Sequence, residues 1–346
     1  MPGTYDVSFL TDDVLAVKRM HQQKLDALCR GKHLSTVPKI VNHVSRLPYV
    51  EDYDRDNWLA EQLDRFRNEA DLCRDENVFH VFGLSLCRYD LHFSSVIMGC
   101  PVFASERAPV DWLPLSKVGV KMRDFTAPSL DENKDFLELL DLAKFMVEAT
   151  EGRVPIEIPY ISEPLVEAVN LFGEAFLIEL AEENETCEKI LTDITSTILD
   201  MRRRFFHAVP GFAFWPHGLS LRMMPDDYTL LFGCTTQLIS PQAYRKHILE
   251  RDRMLLRSHA HGGCIHLCGR HTQHLEAWVS TEEVKAFQLN GNASDDLQRY
   301  WNALRPDQFI IFHQSDKIRY EDAMNLTGGR QLVIYSDDSR EWPVRK

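Results

Sequence analysis

The sequence predicts an α/β fold: a single (β/α)8 barrel, eight parallel strands ringed by helices. Three observations point there. Apolar runs of strand length alternate with amphipathic helical patterns through the chain, which calls for a parallel sheet with helices outside it. The length, 346 residues, is ordinary for such a barrel. Polar residues also recur where the proposed strands end: Asn42 and His43, Glu157, Asp226 and Asp227, His266 and Cys268, Asn290, His313, Ser336 and Asp337. In a closed barrel those ends converge on one mouth, where active sites sit. No Gly-x-Gly-x-x-Gly follows an early strand, so the usual signal of an open dinucleotide-binding sheet is missing.

The elements follow in order. Asp12 to Cys29 reads as a helix, capped by Asp12 or Asp13, with Val14, Val17, Met20, Leu25 and Leu28 as its apolar stripe and Gly31 after it. Residues 1–35 form an N-terminal helical extension to a single domain of 1–346. Val37 to Val44 is strand-like, and Asp56 to Cys73 is a charged amphipathic helix. Residues 78–127 hold strand-like runs at Val78–Leu84 and Ser95–Met98 and a loop around Trp112-Leu113-Pro114, as expected of an insertion that covers the barrel. Helices are expected at Leu130 to Ala149, Glu163 to Glu182 and Glu185 to His207, with a strand at Val154 to Ile158 between the first two. Leu219 to Met224 is a strand ending at Asp226-Asp227. Ser240-Pro241 opens a helix, Ser as cap and Pro at the first helical position. The remaining strands are Cys264 to Cys268, Val284 to Leu289, Gln308 to Phe312 and Gln331 to Tyr335. Short helices stand between them: from Thr272, at Asp295 to Leu304 with Ser294 as cap, and at Arg319 to Leu326.

Composition narrows the function classes. With 39 basic against 52 acidic residues the formal charge is −13, which disfavours a nucleic-acid surface. The one basic run, Arg202-Arg203-Arg204, reads as a solvated helix end. No apolar run approaches the roughly 18 residues of a membrane helix, and the N-terminus lacks a signal-peptide layout. Eight irregularly spaced cysteines suit reduced thiols and a cytoplasmic setting.

The densest chemistry lies between His259 and His271, which holds four of the fourteen histidines and two of the eight cysteines. If Cys264-Ile265-His266-Leu267-Cys268 is a strand, alternation puts Cys264, His266 and Cys268 on one face. A thiolate beside an imidazole suits zinc, at about 2.3 Å to sulfur and about 2.0–2.1 Å to nitrogen. The same face could equally be apolar core, since cysteine is among the most buried residue types. Glu157, between two isoleucines, is a carboxylate that would be costly to bury unpaired. Pro-Asp is ordinary turn chemistry, but Asp226 or Asp227 could contact substrate or orient a histidine. His217 and His313 are candidate pocket residues, and His271 and His274 are expected to face solvent.

Four stretches then carry a resemblance: Leu171-Phe-Gly-Glu-Ala with Ile190-Leu-Thr-Asp-Ile-Thr, the pair Asp226-Asp227, Ile239-Ser-Pro-Gln-Ala-Tyr-Arg-Lys-His-Ile248, and Ile265-His-Leu-Cys-Gly269. In this order they resemble the uroporphyrinogen decarboxylase superfamily, specifically its zinc-dependent, corrinoid-linked methyltransferase branch. The resemblance spans about the second half of the chain. It implies a TIM barrel, Zn2+ held by His266 and Cys268, and methyl transfer between methylcobalamin on a partner corrinoid protein and a small-molecule thiol or related acceptor. Asp227 and Glu157 are then the candidate catalytic carboxylates, and Asp226, His217 and His313 the cofactor-side contacts. The chain departs from the family at two places. The arginine-rich N-terminal signature of the decarboxylases is missing, so porphyrinogen decarboxylation is not expected. The methyltransferases take a third ligand, a cysteine, near the last strand, whereas no cysteine follows Cys268 here. Asp337, Glu157 and Cys264 are the replacements considered, with Asp337 preferred. A metal-assisted lyase or hydrolase, and a non-catalytic barrel lacking the third ligand, are the competing readings.

Overall fold

A computed structural model of the chain describes residues 5–41, 54–69, 74–75, 78–80, 83–86, 89, 92–103, 111–154, 156–209, 214–216 and 228–336. It is an α/β molecule built on parallel sheet. The strands are β1 (Lys39–Val41), β2 (Val78–His80), β3 (Leu84–Ser85), β4 (Val102–Phe103), β5 (Asp111–Trp112), β6 (Ile156–Ile158), β7 (Phe214–Pro216), β8 (Thr229–Phe232), β9 (Gly263–Leu267), β10 (Val284–Leu289), β11 (Phe309–His313) and β12 (Leu332–Ser336). Seven of them form one sheet in the order β2-β1-β12-β11-β10-β9-β8. A second sheet runs β3-β6-β7, and β4 pairs with β5 alone. Only the β4–β5 pair is antiparallel among the described pairings. In place of the expected single ring of eight, the described residues hold ten parallel strands in two sheets, of seven and three. The segments between β2 and β3 and between β7 and β8, which join the edges of one sheet to the edges of the other, lie mostly outside them.

Both faces of the large sheet are buried, as parallel sheets require. Alternation sends Ile40, Phe79, Leu230, Phe232, Cys264, Ala286, Ile311, Val333 and Tyr335 into one apolar cluster. Ile265, Leu267, Phe287, Leu289, Ile310, Phe312 and Ile334 join the other, larger cluster with the helices. Period-two strands separate these two sets, so a slip of one residue in any strand would exchange them.

The helices differ from the sequence reading in instructive ways. Helix Asp12–Cys29 buries Val14, Lys18, His21, Leu25 and Leu28, a stripe rotated away from Val17 and Met20, which are only half-buried. His21 earns its place in it by stacking on Phe79 at 4.2 Å. The run Ser95–Met98 is not a strand but part of helix Phe93–Ile97; a short apolar run does not separate the two by periodicity. The helix expected over Glu163 to Glu182 is two, Pro164–Phe172 and Glu174–Ala181. Gly173 breaks it with a φ of +71°. Ser240 caps its helix as expected, its Oγ accepting from Ala243 N at 3.1 Å. That helix opens into a π turn at Tyr244–Ile248 before Leu249–Arg257. Asp295 and Ser294 belong to a 3-10 turn, Gly291–Asp296, and the helix proper is Leu297–Ala303. The strand expected at Leu219 to Met224 lies wholly outside the described residues, and β8 is a strand the sequence does not announce.

Arg202 corrects the expectation of a solvated basic run. Its side chain is buried in helix Glu185–Ala208, and it donates to Thr229 Oγ1 at 3.1 Å and to Leu230 O at 3.3 Å. Glu163 and Asp252 act on its charge. Arg203 is exposed and Arg204 half-buried, both bridged to Asp200. Among the described residues, no helix is long and apolar enough to cross a membrane.

Glu167 is fully buried and accepts from Ser94 Oγ at 2.6 Å. Burial pushes its carboxyl up to about 6. A carboxyl whose folded value is raised holds its proton more tightly in the folded state, so stability falls as pH rises from about 4.5 to about 6 and the contribution is gone above that. Glu167→Gln should remove about 2 kcal/mol of this fall. Urea unfolding at pH 4.5 and pH 7 checks it, and an unchanged slope in the variant would refute it.

Candidate metal centre

The site sits where β8 and β9 end. β9 pairs with β8 through Phe232↔His266 and with β10 through Gln288↔His266. His266 therefore points to the same side of the sheet as Phe232 and Gln288. Phe232 meets its ring edge-on, at 5.8 Å between centroids. Gln288 Oε1 lies 2.8 Å from His266 Nδ1. An amide oxygen only accepts, so Nδ1 carries the ring proton and the lone pair is on Nε2, the arrangement a metal-binding histidine needs.

Two thiols complete the group. Cys268 lies one residue past β9. Cys234 opens the 3-10 turn Cys234–Leu238, directly after β8. Cys234 Sγ and Cys268 Sγ stand 3.1 Å apart, well beyond the roughly 2.05 Å of a disulfide. The ligand atoms of Cys234, His266 and Cys268 all lie within 4.8 Å of one another. Two thiolates on a tetrahedral zinc would be about 3.8 Å apart, from a zinc–sulfur distance of about 2.3 Å. The observed pair is slightly tighter, so a small separation of the sulfurs fits the ion. His266 is buried, Cys234 half-buried and Cys268 exposed, so the group has a dry side and an open side. That is the layout of a centre with three protein ligands and a position left for substrate.

The backbone around these residues is tied down. Gly233 N donates to His266 O at 2.9 Å, fixing the start of the Cys234 turn to β9. A Cβ on Gly233 would press on Ile265 and Leu267 side chains at 3.1 Å, so glycine permits this close approach. Asn290 N donates to Leu267 O at 2.9 Å and Asn292 N to Cys268 O at 3.2 Å. Those asparagines belong to the wall of a cavity of about 450 Å³ that also includes Asp295, His313, Lys317 and Arg319. The cavity thus neighbours the Cys268 backbone, although Cys234, His266 and Cys268 do not line it.

The sequence matches no family model and no curated protein. Among solved structures it is similar to a methyltransferase from Methanosarcina mazei, with 13% identity and a TM-score of 0.61 over 92% of this chain and 92% of that chain. At that identity the likeness is one of fold.

Of the residues singled out in the sequence, His266 and Cys268 come together, and His313 ends β11 at the cavity. Asp226, Asp227, His217 and Asp337 lie outside the described residues, as does the side chain of Glu157, whose backbone is the middle of β6. Cys264 shares a face with His266 but is fully buried in the apolar cluster and is not in the group. Cys234 and Gln288 are the functional candidates the sequence reading missed. The signal for Cys234 was present: Thr-Leu-Leu-Phe followed by Gly-Cys is a strand with a thiol at its end. His271 and His274 also depart from expectation. Both are buried, and burial pushes His271 down to about 4, which keeps its ring neutral.

Proposed function

We propose that the chain is a zinc-dependent methyltransferase that moves a methyl group between a corrinoid carried on a partner protein and a thiol or related acceptor. The observation that carries this reading is the convergence of Cys234, His266 and Cys268 at the ends of two adjacent parallel strands. Zinc, when bound there, supplies an open position at which an acceptor thiol is held as thiolate at neutral pH. Two cysteine thiolates offset the charge of the ion, which leaves the acceptor sulfur electron-rich. An electron-rich sulfur is what alkylation requires, and the fold shared with a methyltransferase favours methyl transfer over the lyase or hydrolase reading. The protein's own part is to fix the imidazole through Gln288, hold the two sulfurs, and keep one side of the site dry. In the reaction, the sulfur–carbon bond forms as the carbon–cobalt bond breaks, with the electron pair staying on the corrinoid.

The same reading takes the two parallel sheets, ten described strands against the eight expected, as the wall of one closed barrel of the uroporphyrinogen decarboxylase type. Its support is that the edge strands of one sheet are the chain neighbours of the edge strands of the other. Exposure of Cys268 suits approach of a large donor, and a centre with two thiols suits a reducing, cytoplasmic setting. Zinc-loaded protein mixed with methylcobalamin and small thiols should demethylate the corrinoid, read by its absorbance, and the reaction should stop when zinc is removed by a chelator. Unchanged spectra with every thiol, at full zinc occupancy, would point to the lyase or hydrolase reading instead.

A further inference from the structure

We propose that His271 and Thr236 are positioning residues that hold the two thiol-bearing segments at the spacing the metal centre needs; this rests on the metal reading above. Gly269 N–H donates to His271 Nε2 at 3.2 Å. That makes Nε2 the acceptor, so in the neutral ring Nδ1 carries the proton and donates to Thr236 Oγ1 at 3.0 Å. The Thr236 hydroxyl donates in turn to Gly233 O at 2.7 Å. Gly269 follows Cys268 and Gly233 precedes Cys234. One line of three hydrogen bonds, each pointing the same way, therefore joins the residue after one thiol to the residue before the other.

The line is buried and braced. His271 is 0% exposed and Thr236 3%. His274 Nε2 donates to Thr236 O at 2.8 Å, and the ring of Trp278 packs near both histidines. Burying an imidazole and a hydroxyl costs free energy that an apolar pair of the same volume would not. What the polar pair provides is a fixed separation between two backbones that carry ligands, the task of residues behind a metal's own ligands. The Cys234 turn keeps its other tie to β9, from Gly233 N to His266 O, so cutting the line should loosen the turn without unfolding it.

Thr236→Val removes the hydroxyl with little change in volume, and Thr236→Ser restores it. His271→Leu and His271→Gln make the matching pair, since the glutamine amide can accept from Gly269 and donate to Thr236. Two readouts are needed in the full chain: zinc affinity by chelator competition, and, in metal-stripped protein, the rate at which glutathione disulfide joins Cys234 to Cys268. That exchange forms one protein disulfide and releases two glutathione thiols, and the linked peptide is read by mass. Thr236→Val should weaken zinc binding about 10-fold or more and slow bridge closure comparably, with Thr236→Ser within about threefold of wild type. A Thr236→Val protein equal to wild type in both readouts overturns the proposal. Wild-type protein that takes no zinc, but whose bridge closure still slows in Thr236→Val, counts against the metal reading and for the spacing role.

Discussion

Cys234→Ala should lower zinc affinity by on the order of 10²–10³-fold, and His266→Ala and Cys268→Ala by similar factors. The magnitude follows from a structural zinc's apparent binding free energy of roughly 10–16 kcal/mol, which over four ligands is about 2.5–4 kcal/mol each. Cys264→Ala should leave zinc content and affinity unchanged, because that thiol is shut inside the apolar cluster. The comparison separates the two cysteines that could supply the second sulfur. Metal analysis of the four purified variants, with competition titrations, decides it. Full zinc retention in Cys234→Ala with loss in Cys264→Ala would reverse the assignment made here.

Arg202→Ala should destabilise the folded chain by about 3–5 kcal/mol, the cost of leaving buried charge without its partner. Glu163 and Asp252 are both buried, and burial already pushes Asp252 up to about 7. With Arg202 gone, Asp252 is still less able to ionise. The loss should therefore grow as pH rises past about 7: below that Asp252 holds its proton in both proteins, and above it wild type ionises the carboxyl at lower cost than the variant. Urea unfolding of wild type and variant at pH 5 and pH 8 tests both size and direction. A cost under about 1 kcal/mol, the range of exposed ion pairs, would mean that Arg202 behaves as a surface residue.

Much of the sheet was legible because parallel strands buried on both faces are written as compact apolar runs. Residues 264 to 268 illustrate it: the alternation that set Cys264 and His266 on one face is the alternation observed, and Cys268, one residue past the strand, still comes within reach of His266. What alternation does not reveal is depth along the strand. Cys264 and His266 share a face, yet the former lies in hydrocarbon and the latter beside the opening. Cys234 was missed for a related reason. The sequence reading ran from a strand at Leu219 to Met224 straight to the Ser240 cap, so no strand was assigned to Thr229–Phe232 and no strand end to Cys234.

The misjudged polar residues have a common cause. His271, His274 and Arg202 look like surface residues in a sequence because their buried partners are backbone groups and hydroxyls, which leave no pattern in the chain. His274 answers a carbonyl, Arg202 a carbonyl and a threonine hydroxyl. Gln288 was likewise unreadable, since its role depends on standing opposite His266 in the neighbouring strand.

All three proposed ligands come from one strand–helix–strand stretch, residues 229 to 268. A cation gripped there staples together neighbours in the chain rather than its distant halves. The loop it closes between Cys234 and Cys268 spans 34 residues, so closure costs less entropy than one reaching the last strand and can stabilise this unit early in synthesis. The later strands β10 to β12 would then dock onto a preassembled seed. A ligand drawn from the final strand would instead make metal uptake wait for the whole chain.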